Sequence, residues 1–273
     1  MLDFGPSGLK TTLRSLSDKG IKYAGAGADL SQALQPVVIE RRGLKIALVS
    51  FMISPEFEGL EITPAGESTP GVAPIRGFDA RLTGGKRALV PSDADLRQME
   101  DTIRAAKKVA DLVAVSLHIH WGDLESIDPD GKQLVARAAV DAGADMILGH
   151  GPHVVNGIEV YKTKPIIYSM GDFVVQPPML GYEVFYPDQV KNTKRIRANE
   201  RTFESMMVRM ILSQQGAFRR IEILPTATTQ SGDPHFVTGD KANAILERVK
   251  TLSEPFKTAI KRQSWYSVLE LSK

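Results

Sequence analysis

Two short phrases hold four of the chain's five histidines. "AVSLHIHWGD", Ala114 to Asp123, ends an apolar run in His118 and His120. "MILGHGPHVVNGIEV", Met146 to Val160, ends another in His150 and His153. Neutral imidazole is a ligand for zinc, iron, manganese or nickel. The chain has no cysteine, so any metal it holds must be bound by imidazole, carboxylate or amide. The competing reading is that these are structural histidines satisfied by hydrogen bonds in turns. A lone pair of imidazoles would favour that reading, whereas four converging from adjacent strand ends favour metal geometry. A two-metal hydrolytic centre would also need oxygen ligands, usually a bridging carboxylate, with its ions about 3.5–4 Å apart.

The elements around the histidines decide whether they can converge. A strand sends alternate side chains to one face, so His118 and His120 are expected to point one way and Ile119 the other. Asp111 to Leu117 reads as a buried strand, Gly131 to Ala142 as a helix, and Met146 to Leu148 as a second strand. That order predicts parallel neighbours whose carboxyl ends share one edge, the usual place for ligands in an open α/β sheet. Gly149 and Gly151 allow tight backbone there, and Pro152 stiffens the approach to His153.

The rest of the chain supplies the frame. With 273 residues, 42% hydrophobic and 24% charged, it can bury a proper core. A net charge of +2 gives no global pull toward nucleic acid or membrane. No run approaches the roughly 20 apolar residues of a membrane span, and the opening residues do not read as a signal peptide. A helix is expected over Gly8 to Lys19, closed by Gly20, and a hairpin over Val37 to Glu40 and Leu44 to Phe51. Residues 52–91 are rich in Pro, Gly, Ser and Thr and read as an irregular insertion loop, either covering a site or a disordered excursion. Ser92 is the expected N-cap of an amphipathic helix in "SDADLRQMEDTIRAAKKVA", with apolar positions at 96, 99, 103, 106 and 109 or 110. Further hairpins are expected over 158–169 and 206–224, then a helix over Ala242 to Leu252 and another in the tail after Pro255.

Several phrases resemble one family. "LDFGPSGLKTTLRSLSDKGIKYAGAG", "SLHIHWGD", "AGADMILGHGPHVVNGIEVYKTKPIIYSMGDFV" and "VTGDKANAILERVKTLS" are together similar to segments of the capsule-synthesis CapA family, also called PgsA, of poly-γ-glutamate biosynthesis. The resemblance implies an α/β fold of the calcineurin-like metallophosphoesterase type, a β-sandwich flanked by helices in four layers, α/β/β/α. It implies one domain over residues 1–254 with the tail, 255–273, packed on it. By position His120 matches the family's mid-chain metal histidine, and His150 and His153 match its late pair. His118 has no standard counterpart, and its place in the site rests on strand alternation. The cofactor implied is a divalent metal, Mn, Zn or Fe.

The departures matter as much. Family members carry a metal-ligand Asp on an early strand and an Asn-Asn-His loop just before the "LDFG" segment, where Met1 stands here. The expectation is therefore of missing N-terminal strands, and with them the oxygen ligands. Two explanations compete: a fragment or late-started chain, or a naturally short, non-catalytic relative. Asp123 and Glu125 stand at altered spacing after His-Trp-Gly. Asp172 stands where Asn is usual, readable either as a turn residue after Gly171 or as a carboxylate helping to neutralise a cation.

Two functions follow from different classes. One is an accessory subunit for making an anionic polymer, with a partial metal site; the other is a metal-dependent phosphoesterase-type hydrolase, if the missing ligands are supplied. The catalytic residues are unassigned. Lys191, Lys194, Arg195, Arg197 and Arg201 place five positive charges in eleven residues. Lys194, Arg195 and Arg197 would bind an anionic polymer or phosphoester through summed, salt-screened attraction; the competing reading is a solvated loop. Aromatic residues are not interleaved there, so nucleic acid is a poor partner. Other capsule-synthesis subunits are further partners that the resemblance implies, with a place at the cell envelope.

Overall fold

The computed structural model of the chain describes residues 5–55, 63–81, 87–119, 131–174, 200–213, 216–229 and 232–271. The described chain is mixed α/β and divides into two compact units. The first holds residues 1–151 with 160–168, and the second holds 152–159 with 169–273.

In the first unit the elements are α1 (Gly5–Asp18), β1 (Ala26–Gly27), α2 (Leu30–Ala33), β2 (Val37–Arg41), β3 (Leu44–Pro55), β4 (Gly71–Val72), β5 (Pro74–Arg81), β6 (Arg87–Pro91), α3 (Asp93–Lys107), β7 (Leu112–Ile119), α4 (Lys132–Asp141) and β8 (Met146–His150). The chain then runs through β9 (Ile158–Tyr161) and β10 (Lys164–Ile167). The main sheet has the order β6-β5-β3-β7-β8-β10-β9, with β2 also paired to β3. Its centre is parallel: β5, β3, β7, β8 and β10 all run the same way.

The core of this unit follows from strand alternation. Ala47, Val49, Phe51 and Ile53 on β3, and Val113, Val115, Leu117 and Ile119 on β7, are all buried. Helix α3 contributes Met99, Ile103 and Ala106, and α4 contributes Val135, Ala136 and Ala139. α3 packs on β3, β5 and β7, α4 on β7 and β8, and the helices touch each other, so one sheet face is dry. Each large aliphatic side chain fully buried there contributes about 1.5–3 kcal/mol. The alternate positions Leu48, Ser50, Met52, Ser116, His118, Leu148 and His150 are only half-buried.

Ser92 caps α3, its hydroxyl accepting from the Asp95 amide. Buried Asp95 accepts from the Arg76 amide, Nε and Nη2 at 2.7–2.8 Å, which clips the start of α3 to β5. Strand β5 itself corrects the expectation of an irregular segment after Met52. It lies parallel to β3 and antiparallel to β6 within the main sheet.

The second unit holds β11 (Glu204–Leu212), β12 (Phe218–Thr228), β13 (Pro234–Phe236), α5 (Gly239–Ser253), β14 (Lys261–Arg262) and β15 (Ser267–Glu270). Its antiparallel sheet has the order β11-β12-β15-β14, with β13 on β12, and α5 packs on β11 and β12. The β11–β12 hairpin agrees with the expectation for residues 206–224. The tail corrects it: β14 and β15 stand where a helix was expected after Pro255. Phe236, Trp265 and Tyr266 pack edge-on, with ring centroids 5.6–5.9 Å apart.

Candidate functional site

The parallel register of β7 and β8 sets His118 directly beside His150 at the carboxyl ends of the two strands. The imidazoles meet at right angles, with ring centroids 4.7 Å apart and the planes 80° to each other. Their Nδ1 atoms are 2.9 Å apart, a hydrogen bond that requires one proton between two nitrogens. The other nitrogen of His150, Nε2, is 2.8 Å from the Ser116 hydroxyl, which lies two residues before His118 on the same face of β7. Burial pushes the His150 pKa below its ordinary 6.5, because a half-buried imidazolium loses hydration. The ring is therefore neutral at pH 7, with one nitrogen donating and one accepting.

The glycines on either side of His150 are explained by space. A Cβ on Gly149 would stand 2.3 Å from the Tyr168 carbonyl oxygen and 2.6 Å from that of Ile167. A Cβ on Gly151 would stand 2.5 Å from the Ile119 carbonyl oxygen, and Gly151 has a φ of +113°, which L side chains avoid. The Gly-His-Gly phrase thus lets the end of β8 press against β10 on one side and the end of β7 on the other.

His153 belongs to the second unit, where Asp172 holds it. Both Asp172 carboxylate oxygens are 2.9 Å from His153 Nδ1, so Nδ1 carries the proton and donates it. His153 has a φ of +61°, an uncommon backbone state for a residue other than glycine. The segment carrying it is stitched to the Asp172 segment: the Asn156 amide donates to Ser169 O, and Val155 bridges Met170. The Asp172 hydrogen bond holds the His153 pKa above 6.5, outweighing burial, which alone would lower it.

Asp172→Asn is expected to drop the His153 pKa to 6.5 or below, followed by proton NMR of the ring. The sign for stability follows. A raised histidine pKa contributes stability below about pH 6.5, and loses it as pH rises through the folded value. The wild type should therefore exceed the variant in stability most clearly in mild acid. An unchanged His153 titration would remove Asp172 from this role.

Of the residues singled out in the sequence, His118 and His150 come together, and His153 pairs with Asp172. His120, Asp123, Glu125, Lys194, Arg195 and Arg197 lie outside the described residues. His235 is on exposed β13. Among the described residues, no three His, Asp or Glu side chains form a group able to hold a metal ion. Ser116 was not legible as a site residue; its one signal is its place two residues before His118 on a strand that ends in histidine.

The bacterial capsule synthesis protein family PGA_cap matches residues 1–177, which include Ser116, His118, His150, His153 and Asp172. The chain belongs to the PGA_cap family. Among CapA relatives, the PGA biosynthesis protein CapA of Bacillus subtilis is 36% identical over 63% of this chain, and 40% of its own length is covered. A probable polyglutamine synthesis accessory protein of Mycobacterium tuberculosis is 32% identical over 64% of this chain, with 42% of its length covered. An uncharacterized protein of Sinorhizobium fredii is 28% identical over 95% of this chain and 72% of its own length. The chain thus spans about two fifths of the length of the named CapA and accessory proteins, and its PGA_cap match ends before the basic segment at Lys194.

Proposed function

We propose that this PGA_cap protein is an accessory component of capsule or poly-γ-glutamate synthesis, with a partial metal site built on a metallophosphatase-type four-layer framework. The observation that carries the reading is the His118–His150 pair. Two imidazoles stand a hydrogen bond apart at parallel strand ends, and no group of three His, Asp or Glu side chains able to hold an ion is found among the described residues. Nitrogens each about 2.0–2.1 Å from one tetrahedral ion stand about 3.4 Å apart, so a small ring rotation from 2.9 Å would admit a cation. Neutral imidazole donors fit zinc, iron or manganese. The family resemblance implies His120 and His153 as metal histidines as well. A bound ion would supply charge to hold or polarise an anionic group. The names of the relatives support the polymer, and the basic stretch around Lys194, Arg195 and Arg197 would hold it.

A second reading, a metal-dependent phosphoesterase-type hydrolase, is favoured by one observation. Asp172 holds His153 by Nδ1, the arrangement by which carboxylates orient metal-ligating histidines.

One set of measurements separates them. Zinc or manganese at about 100 times its dissociation constant should stabilise the chain by about 2.7 kcal/mol. His118→Ala and His150→Ala should each remove most of the resulting rise in melting temperature. No metal-dependent cleavage of a generic phosphodiester is expected. Clear turnover that disappears in His150→Ala would replace the accessory reading with the hydrolase, and no metal-induced shift in the wild type would sink the metal site altogether.

A further inference from the structure

Ser116 is the group in this cluster to which neither the sequence nor the family gives a role. We infer that Ser116 is a positioning residue that selects the nitrogen by which His150 takes a metal, and so makes the site an Nδ1,Nδ1 pair with His118. This rests on the metal reading above.

The geometry leaves two ways to place the protons. In one, the Ser116 hydroxyl donates to His150 Nε2, and His150 Nδ1–H donates to His118 Nδ1. In the other, His150 Nε2–H donates to Ser116 Oγ, and His150 Nδ1 accepts from His118 Nδ1–H. A hydroxyl can donate or accept, so Ser116 keeps its 2.8 Å bond in both states. A backbone carbonyl or carboxylate in its place could only accept, and an amide N–H only donate.

A cation seated between the two Nδ1 atoms needs both lone pairs. His150 must then carry its proton on Nε2, the nitrogen that Ser116 Oγ faces and can accept from. His118 must carry its proton on Nε2 as well. The metal-free hydrogen bond between the rings keeps the two Nδ1 atoms aimed at each other until the ion replaces the shared proton. The displaced proton passes through solvent to Nε2 of the ring that carried it, so binding releases no net proton when both rings begin neutral. Partners of this kind orient a ligating ring, and their loss typically costs 10–100-fold in metal affinity.

The test uses the full chain with zinc alone. Histidine-selective 15N labelling of the zinc-loaded wild type should show His150 protonated on Nε2 and coordinated through Nδ1. Ser116→Ala should bind zinc 10–100-fold more weakly in calorimetric titration. Ser116→Thr, which keeps the hydroxyl, should recover most of that loss, a result that a purely structural role for the small side chain would not give. The metal-free melting temperature of each variant reports whether it folds. Coordination of His150 through Nε2, or wild-type zinc affinity in folded Ser116→Ala, overturns the role of Ser116 while leaving the metal site standing. A wild type that binds no zinc at all overturns the site and this inference together.

Discussion

Gly149→Ala is expected to cost about 3 kcal/mol of stability, although it adds one methyl group. The methyl has nowhere to go. It would sit 2.3 Å from the Tyr168 carbonyl oxygen and 2.6 Å from that of Ile167, where contact distances are normally above 3 Å. Those atoms are backbone, so no side-chain rotation relieves the clash. Strand β10 would have to move away from β8, and it is held there by the ladder that pairs Ile166 with Ile147 and Ile167 with Leu148. At about 2–4 °C per kcal/mol for a chain of this size, the melting temperature should fall by about 6–12 °C. Because Gly149 lies between Leu148 and His150, the same displacement should loosen the His118–His150 contact. Zinc should then raise the melting temperature of the variant less than that of the wild type. A Gly149→Ala variant with wild-type melting and an unchanged metal response would show that β8 and β10 do not approach this closely.

The approach of His118 to His150 was legible in the sequence because two periodic signals agree. Strand alternation chose the face, and the strand–helix–strand order placed the Met146 strand next to the Ala114 strand. The glycine-bounded phrase marked the strand end, although which neighbour each glycine touches is a tertiary fact. Ser116 was invisible because serine on a half-buried strand is unremarkable without its partner, and that partner is 34 residues away. In the sequence Asp172 is readable as a turn residue after Gly171 or as a carboxylate near a cation. Its second role appears only when the 152–156 segment is laid beside residues 169–172.

Strand β5 was hidden for a different reason. "PIRGFDAR" has a proline, a glycine and no clean alternation, and it becomes a strand because β3 on one side and β6 on the other supply its hydrogen bonds. The short strands of the tail are likewise made by β12, since four residues such as "SVLE" carry too little pattern to declare themselves. Local pattern therefore located the elements that point the histidines, and tertiary pairing decided what holds them still.

Asp145→Asn is the second large effect expected, and it acts on the frame that aims β8. Asp145 is 3% exposed and stands immediately before Met146. Its carboxylate accepts from Lys107 Nζ at the end of α3, from Lys164 Nζ at the start of β10 at 2.8 Å, and from the Val113 amide on β7 at 2.9 Å. Burial alone would raise its pKa. The hydrogen bonds from Lys107, Lys164 and Val113, with the charge of Lys164, outweigh burial and hold it below the ordinary 3.8. Asparagine keeps the bond from Val113 and loses the charge, leaving two ammonium groups without their counter-ion. Losing one partner of a fully buried pair costs about 3–5 kcal/mol. Here the lysine side chains are 39% and 34% exposed and partly recover hydration, so about 2 kcal/mol is expected at neutral pH. A lowered carboxyl pKa contributes stability that is complete above the ordinary value and is lost as pH falls through the folded value. Denaturant titrations should therefore show wild type and Asp145→Asn well separated at pH 7, still separated at pH 5, and converging below about pH 3.8. Parallel curves across that range would mean that the ionised carboxylate is not what joins α3, β7 and β10 ahead of the histidine strand.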